Sequence, residues 1–269
     1  MPAKILEGKK IAEKILDAAQ EDVALLKQKG IVPKLVVLQV GDDPASTIYV
    51  NKKHETCLKI GMESEVKRFD DTISYESFLI EIGKLNKDPK VHGILVQVPL
   101  PEQLRHHQLF ETIDVKKDVD GFHPMNHGKN FLGKKGFVPA TPLGIMELLR
   151  HTKVKLEGKY AVVIGRSNIV GKPIALMLIN AGCTVTVCNS KTPDLAKCAR
   201  NADILISAVG KPGLVTAGMI KQGAIVIDAG TTRTKNGIEG DVDFEGALKK
   251  ASWVTPVPGG VGPMTIASL

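Results

Sequence analysis

The chain has 269 residues, 43% of them hydrophobic and 24% charged, which is the composition of a globular protein with room for one large or two ordinary domains. The formal net charge is +7, but the lysines are dispersed and aromatic residues make up only 4%, which argues against a nucleic-acid-binding surface. No apolar run has the length of a membrane span, and we expect neither a membrane anchor nor a signal peptide. The four cysteines form no CxxC pair and no Cys/His cluster, which indicates a reduced, cytoplasmic protein without a metal site.

The first half of the chain predicts helices and strands in alternation. Apolar residues at helical spacing, ended by Gly30, predict a helix over 8–29. Short apolar or alternating runs predict strands over 34–40, 63–69 and 92–98. The other predicted helices cover 46–60, 74–85, 102–112 and 141–150. We interpret the last helix as a bridge between two domains, and residues 114–120 as a polar loop.

The second half alternates strands and helices in the same way. Its predicted strands cover 160–165, 184–188, 203–207, 224–229 and 251–254. Strict alternation favours parallel sheets with helices on both faces. We therefore predict an α/β protein of two lobes with a cleft between them, in which residues 1–140 form the first domain and residues 141–269 form a Rossmann-like, doubly wound parallel sheet. The final stretch, 255–269, is expected to return to the cleft.

The segment from Tyr160 to Gly182 has the pattern of a strand, a glycine turn and a helix. An apolar run ends at Gly165, and Pro173 is tolerated in the first turn of the helix that follows Gly171. Such a unit can direct free backbone N–H groups and the positive end of a helix at a phosphate. The spacing GxSxxxGxP departs from the usual GxGxxG, so an ordinary strand-to-helix turn is the alternative.

The residues after the next strand indicate which dinucleotide would bind. In NAD-binding folds an acid at this point holds the ribose 2′-hydroxyl, but here Ser190 and Lys191 follow the strand. Together with Arg166 in the glycine turn, they favour a 2′-phosphate and therefore NADP. In the alternative interpretation, Lys191 is a solvated surface lysine and Arg166 is an ordinary turn residue.

Tyr49 and Lys53 lie four residues apart on a predicted helix and therefore share a face. An aromatic ring beside an ammonium suits a flat heteroaromatic substrate, and a lysine shielded from water has a lowered pKa and can act as an acid or a base. Taken alone, most lysines with this pattern are solvated surface residues, and that is the alternative interpretation of Lys53.

Three further features carry polar or conformational signals. Gln97 ends a buried strand, where sites are built, although a satisfied turn glutamine has the same pattern. One of Asp118 and Asp120 is expected to hold the amino edge of a ring while the other pairs with Lys116 or Lys117; the alternative is a solvated charged turn. The stretch 255–265 has three prolines and three glycines, which favours close contact with a ligand over a flexible linker.

These residues occur in five stretches, and with them the chain resembles the bifunctional methylenetetrahydrofolate dehydrogenase/methenyltetrahydrofolate cyclohydrolases. The stretches span nearly the whole chain in the family's order, and the last two are highly specific. They are Ser46–Val50 with Lys53, Val96–Pro101, Lys117–Gly121, Gly165–Ser167 with Val170–Pro173, and Pro256–Thr265.

The resemblance implies NADP-dependent oxidation of 5,10-methylenetetrahydrofolate to the methenyl cation and hydrolysis to 10-formyltetrahydrofolate, both in one cleft and without a metal. It implies Lys53 as the catalytic lysine of the hydrolytic step, Gln97 as the residue that orients it, Tyr49 as a stacking platform and Asp120 as the ligand of the pterin edge. The implied folate-binding residues also include Ser46, Pro258, Gly259 and Gly260. The implied cofactor-binding residues are Gly165, Arg166, Ser167, Val170, Gly171, Pro173, Ser190, Lys191 and Thr231. A cytoplasmic homodimer that pairs the cofactor domains is expected.

The chain departs from the family pattern at three places. Ala140 stands where many members have Cys, and Asn189 stands where many have His. The sequence stops at Leu269, where the family's final helix begins, so we expect either a truncated or an unusual end.

Two other functions are compatible with parts of the pattern. A shikimate-type dehydrogenase would share two α/β lobes, NADP and a cleft lysine, but it requires different substrate motifs. A non-catalytic NADP-binding sensor would not need Tyr49, Lys53, Gln97 and Asp120 together.

Overall fold

The structure, a computed structural model, describes residues 2–105, 108–235 and 237–269. Its strands are β1 (Lys4–Ile5), β2 (Lys34–Val40), β3 (Glu63–Phe69), β4 (Gly93–Val96), β5 (Tyr160–Ile164), β6 (Thr184–Cys188), β7 (Ile204–Ser207), β8 (Ile225–Asp228), β9 (Thr232–Thr234), β10 (Gly237–Glu239) and β11 (Trp253–Val254). Its α-helices are α1 (Gly8–Gln28), α2 (Pro44–Lys59), α3 (Tyr75–Lys87), α4 (Gln108–Glu111), α5 (Pro124–Phe131), α6 (Ala140–His151), α7 (Gly171–Asn180), α8 (Leu195–Ala199), α9 (Phe244–Leu248) and α10 (Val261–Ser268). Two 3₁₀ turns cover Glu102–Leu104 and Ala217–Met219. Within the described residues, no helix combines the length and apolar character needed to cross a membrane.

The chain forms two compact units. The N-terminal unit consists of Lys14–Lys129 and Gly136–Val138, and the C-terminal unit consists of the residues up to Glu13, Asn130–Lys135 and Pro139–Leu269. Helix α6, which the sequence suggested as a bridge, falls wholly within the C-terminal unit, whereas the residues of α1 are divided between the two units.

The N-terminal unit is organised around a three-stranded parallel sheet in the order β3-β2-β4. Side chains alternate across a strand, so Val36, Leu38 and Val40 of β2 share one face, where they form a core with residues of α3 such as Phe78 and Ile82. The other residues of β2 face α2, which packs against β2 and β3. This arrangement places one face of α2 against the sheet.

The predicted helix over 102–112 is not continuous. Glu102–Leu104 form a 3₁₀ turn, Arg105 is not helical, and α4 begins at Gln108; His106 and His107 lie outside the described residues. The guanidinium Nε of Arg105 donates to the Leu100 carbonyl at 2.7 Å, which ties the chain back onto the turn instead of extending a helix.

The C-terminal unit contains a six-stranded, all-parallel sheet in the order β1-β11-β8-β7-β5-β6. The order reverses between β5 and β7, because the chain goes from β5 outward to β6 and then returns to β7. This is the switch point at which doubly wound sheets bind ligands. The predicted α/β fold with a doubly wound parallel sheet is confirmed, and the short strand β1 at its edge comes from the start of the chain.

Candidate active site

Helix α2 carries the first group of candidate residues. Asp43 caps the helix by accepting a hydrogen bond from the Ser46 amide at 2.7 Å, and Pro44 occupies its first turn. The buried residues of α2 recur at helical spacing and are Ser46, Val50, Lys53 and Cys57. Tyr49 is half-buried one turn before Lys53, so the aromatic ring and the ammonium lie on adjacent parts of one helix, as the spacing predicted.

Lys53 and Gln97 are brought together across 44 positions in the chain. The Lys53 ammonium donates to Gln97 Oε1 at 3.2 Å, and Gln97 Nε2 donates to the Val98 carbonyl at 2.7 Å. The second bond sets the amide so that its oxygen faces the lysine. The Gln97 amide N–H bonds the Leu38 carbonyl of β2 at 2.9 Å, so the sheet itself fixes where Gln97 stands.

The protonation of Lys53 and that of Asp120 are coupled. Lys53 is 8% exposed, and burial lowers the pKa of its ammonium, while the negative charge of Asp120 opposes that shift. Burial raises the pKa of Asp120 to about 6; Lys53 opposes this shift and Asp118 adds to it. A lysine that gives up its proton more readily than a surface lysine is suited to proton transfer near neutral pH.

Asp118 has a structural environment that differs from that of Asp120. Its carboxylate is 1% exposed and accepts hydrogen bonds from the backbone amides of Phe122 and His123 and from Asn126 Nδ2. Lys117 donates instead to the carbonyls of Leu85, Asn86 and Asp88 at the end of α3. Within the described residues Asp118 pairs with neither Lys116 nor Lys117, so the local ion pair considered from the sequence is wrong.

The glycine turn after β5 requires both of its glycines. Gly165 has a φ of +118°, and a side chain there would place its Cβ 2.5 Å from the Ala208 carbonyl oxygen at the end of β7. A Cβ at Gly171 would lie 2.6 Å from the Gly165 carbonyl carbon. These contacts keep the switch point between β5 and β7 free of side chains at both positions.

The backbone N–H groups at the start of α7 are not free, which corrects the sequence-based expectation. The amides of Val170 and Gly171 donate to Ser167 Oγ at 3.1 and 3.2 Å, the amide of Lys172 donates to the Ser167 carbonyl at 3.0 Å, and Pro173 has no N–H. Ser167 therefore satisfies these amides from three residues before the N-cap residue, Val170. What remains for an anion is the positive end of the helix and the side chains of the turn.

The residues expected to bind the 2′-phosphate of NADP are exposed at the ends of β5 and β6. Arg166, Ser190 and Lys191 all lie on the surface. The turn after β6 is closed by Asn189, whose side chain accepts from the Lys191 amide at 2.9 Å. Thr231, also exposed, follows β8.

Two buried carboxylates that the sequence analysis did not single out, Asp228 at the end of β8 and Asp241 after β10, organise the carboxyl ends of β7 and β8. Asp241 accepts from Ser207 Oγ at 2.8 Å and from the amides of Val209 and Lys211 at 2.8 and 2.7 Å. Asp228 accepts from the amides of Gly230, Asp241 and Val242 at 2.9–3.0 Å, and burial raises its pKa to about 6. The pair fixes the loops that follow β7 and β8. The signal was an aspartate ending an apolar run, which was available at Asp228.

The glycine-rich stretch makes close contacts with its own unit. The Gly259 carbonyl accepts from the Lys9 amide at 3.1 Å, and a Cβ at Gly8 would lie 2.7 Å from the Gly260 carbonyl carbon. A Cβ at Gly260 would lie 2.6 Å from the Pro256 oxygen, while Pro258 is exposed. The stretch then continues into α10, where Thr265 hydrogen-bonds Thr141 of α6 at 2.9 Å.

No group of three or more His, Cys, Asp or Glu side chains that could hold a metal occurs within the described part of the chain.

A glycine turn at the switch point of a doubly wound sheet, in a chain that also carries a buried lysine held by a glutamine, defines a dinucleotide-dependent enzyme of the α/β class. Models of two domains match the chain: the tetrahydrofolate dehydrogenase/cyclohydrolase catalytic domain over residues 6–120 and its NAD(P)-binding domain over residues 139–269. The chain belongs to the tetrahydrofolate dehydrogenase/cyclohydrolase family, and the resemblance inferred from its motifs is confirmed.

Individual relatives agree with this assignment. The bifunctional protein FolD of Moorella thermoacetica is 54% identical over 270 residues, with 100% of this chain and 96% of the relative covered. The crystal structure of the bifunctional enzyme FolD from Campylobacter jejuni has a TM-score of 0.97 at 50% identity, with 99% and 95% covered. The Trypanosoma brucei enzyme, solved with NADP cofactor and inhibitor, has a TM-score of 0.95 at 37% identity, with 100% and 95% covered.

The shikimate dehydrogenase alternative is reduced to a likeness of fold. The Thermus thermophilus shikimate 5-dehydrogenase in complex with shikimate has a TM-score of 0.55 at 18% identity, with 88% of this chain and 98% of that chain covered.

Proposed function

We propose that this chain oxidises 5,10-methylenetetrahydrofolate with NADP as the hydride acceptor and hydrolyses the 5,10-methenyltetrahydrofolate product to 10-formyltetrahydrofolate, as a step of one-carbon metabolism. The observation that carries the proposal is the hydrogen bond from the buried Lys53 ammonium to Gln97, beside the charge of Asp120, in a member of this family. Sequence identities of 54% and 51% with two bifunctional relatives, over 100% and 99% of this chain, support both activities in the one chain.

The C-terminal unit fits a dinucleotide because the glycines of the turn keep its backbone open at the switch point. The residues proposed to hold NADP are Gly165, Arg166, Ser167, Val170, Gly171, Pro173, Ser190, Lys191 and Thr231. When bound, NADP supplies the acceptor for the hydride. Preference for NADP over NAD follows from exposed Arg166, Ser190 and Lys191 side chains where an NAD-specific fold has an acid.

The folate is proposed to bind along the exposed edge of the Lys53 site. Tyr49, half-buried on α2, provides a ring on which the aminobenzoyl group stacks, and Asp120 accepts hydrogen bonds from the pterin edge. Ser46 and Gln97 are further proposed contacts. Pro258, Gly259 and Gly260 of the C-terminal unit are the remaining residues proposed as folate contacts.

Lys53 is proposed to move the protons of the hydrolytic step. Its neutral amine, which burial favours, accepts a proton from the water that attacks the methenyl carbon. The resulting ammonium then gives a proton to the ring nitrogen as the carbon–nitrogen bond breaks. The hydroxyl of the adduct loses its remaining proton to solvent as the formyl C=O forms, so the hydrolysis releases one proton overall. Gln97 holds Nζ in place, because its own amide is oriented by the Val98 carbonyl and by the sheet.

A homodimer formed through the C-terminal unit and a cytoplasmic location are part of the proposal. Strand β6 lies at one end of the described six-stranded sheet, and edge strands are templates for pairing. Val187 on that strand is 39% exposed and Ile179 on the neighbouring helix α7 is 53% exposed, which supports an apolar contact there. The four free thiols support a reducing compartment. Sedimentation of the purified chain and of Val187→Lys tests the dimer, which should dissociate in the variant.

The proposal is tested by replacing Lys53 with Met, which keeps most of the apolar volume and removes the amine. Methenyltetrahydrofolate hydrolysis should fall by about 10²–10⁴-fold, the usual contribution of a general acid–base group, while NADP affinity stays unchanged. Lys52→Met is the matched control, since Lys52 is the exposed neighbour on the same helix. Wild-type hydrolysis by Lys53→Met, or an equal loss in Lys52→Met, would contradict the assignment.

A further inference from the structure

The turn that carries Asp120 is built on the buried carboxylate of Asp118. One oxygen of Asp118 accepts from the Phe122 amide at 3.1 Å, and the other accepts from the His123 amide at 2.9 Å and from Asn126 Nδ2 at 2.8 Å. These three donors lie on the C-terminal side of Asp120 and Asp118 lies on its N-terminal side. The carboxylate therefore closes a loop around the residue proposed to bind the pterin edge.

The same segment is joined to the strand whose end holds Gln97. The Ile94 amide of β4 donates to the Lys117 carbonyl at 2.7 Å, and Ile94 and Asp118 form a parallel bridge. After Asp120, Gly121 has a φ of +65°, and a Cβ there would lie 2.8 Å from the Val138 Cα. The backbone on each side of Asp120 is thus held in place, on one side by the sheet and on the other by the Asp118 hydrogen bonds.

The charges around Asp120 come from two elements. Lys53 acts on it from α2, where Cys57 is a titratable neighbour of Lys53, and Asp118 acts on it from its own turn. Two further titratable groups at this turn bond elsewhere: the Lys117 ammonium donates to the carbonyls of Leu85, Asn86 and Asp88, and His123 Nδ1 accepts from the Met125 amide at 3.0 Å. Burial is the main cause of the raised pKa of Asp120, and the negative charge of Asp118 raises it further.

We propose that Asp118 is a positioning residue of this site: its carboxylate both orients Asp120 toward the folate and places a second negative charge near it. The inference rests on the proposed function only for the identity of the ligand. Asp118 itself, buried with its oxygens already bonded to the protein, is not a ligand of the folate. Its two effects, on the geometry of the turn and on the protonation of Asp120, can be measured separately.

The test compares wild-type protein with Asp118→Asn, using Asp114→Asn as the control because Asp114 is an exposed aspartate in the same polar loop. Carbon-13 NMR of aspartate-labelled protein, with the Asp120 signal assigned from Asp120→Asn, gives the titration midpoint of Asp120 without any ligand. That midpoint should fall in Asp118→Asn and stay at the wild-type value in Asp114→Asn. An unchanged midpoint in Asp118→Asn would overturn the electrostatic part.

Affinity for 5-formyltetrahydrofolate, a stable folate, tests the geometric part. It should fall roughly tenfold or more in Asp118→Asn, because an amide cannot accept all three hydrogen bonds, while NADP affinity stays at the wild-type value. Unchanged folate affinity would overturn this part. If Asp118→Asn does not fold, Asn126→Ala is used instead, because it removes one hydrogen-bond donor to Asp118. This variant should lower folate affinity and leave NADP affinity unchanged; wild-type folate affinity would refute the positioning role.

The readouts separate this inference from the proposed function. A shifted Asp120 midpoint in a protein that lacks turnover with methylenetetrahydrofolate would leave the role of Asp118 standing and reject the function. Normal turnover by the wild type, together with an unshifted Asp120 midpoint and unchanged folate affinity in Asp118→Asn, would support the function and reject the role of Asp118.

Discussion

Replacing Gly171 with Ala should damage both the C-terminal unit and its proposed cofactor site. The new Cβ would lie 2.6 Å from the Gly165 carbonyl carbon and 2.9 Å from the Arg166 nitrogen. Both are backbone atoms, and Gly165 is held by a hydrogen bond from its amide to the Cys188 carbonyl at 2.9 Å. The turn must therefore move as a whole, because no flexible side chain can give way.

The cost can be placed on a scale. Overpacking of this kind costs about 1–3 kcal/mol. For a unit of this size each kcal/mol corresponds to a change of about 2–4 °C in the melting temperature, so we expect Gly171→Ala to melt roughly 2–12 °C below the wild type. Displacement of the turn should also weaken NADP binding by more than tenfold, since the proposed phosphate site consists of the positive end of α7 and the side chains of this turn.

The assay is thermal unfolding with and without NADP, with affinity measured by titration. Gly83→Ala is the control: Gly83 lies within α3 and a Cβ there meets nothing within 4 Å, so this change should stabilise the protein by about 0.5–1 kcal/mol, as alanine does in a helix interior. A Gly171→Ala protein with wild-type melting temperature and wild-type NADP affinity would refute the steric argument.

Two further predictions concern charge. Arg166→Ala should lower the ratio of kcat/KM for NADP to kcat/KM for NAD, because it removes a cation from the proposed 2′-phosphate site. Arg200→Ala, which changes an exposed arginine of the same unit, should leave this ratio unchanged. An unaltered ratio in both variants would show that Arg166 does not bind the 2′-phosphate. Burial raises the pKa of Asp120 to about 6 from an ordinary 3.8. Between these two pH values the native state therefore binds more protons than the unfolded state. The free energy of unfolding of the wild type should consequently fall relative to that of Asp120→Asn as pH rises from about 4 to 6. Urea unfolding across this range checks the sign, and a constant difference between the two proteins would contradict it.

Local sequence patterns were sufficient for the sheets but not for their pairing. Nearly continuous apolar runs such as Ala161–Ile164 and Leu35–Val40 predicted buried strands, because only a strand covered on both faces tolerates such a run. Nothing local shows that β1 joins the edge of the C-terminal sheet, since two residues are too few for a pattern. The hairpin of β9 and β10 was missed for the same reason: each strand has three residues.

At the site, spacing and composition predicted residue types but not their partners; the pairing of Gln97 with Lys53 came only from the family resemblance. The spacing of Tyr49 and Lys53 placed both on one helix, whereas the contact between Lys53 and Gln97 depends on how α2 packs on the sheet. The residue pattern alone left Asp118 and Asp120 interchangeable, and the family resemblance assigned the pterin edge to Asp120. Among the described residues, the carboxylate of Asp118 accepts from two backbone amides, which separates it from Asp120. The hydrogen bonds from the Val170 and Gly171 amides to Ser167 Oγ could not be inferred from composition, because they depend on the path of the turn.

The most direct test of the proposed function is absorbance during incubation of the purified protein with 5,10-methylenetetrahydrofolate and either NADP or NAD. We predict that reduced cofactor forms faster with NADP and that little methenyl species accumulates, because the same chain hydrolyses it. Accumulation of the methenyl species would contradict the hydrolytic role of the Lys53 site, and the absence of turnover with either cofactor would contradict the account as a whole.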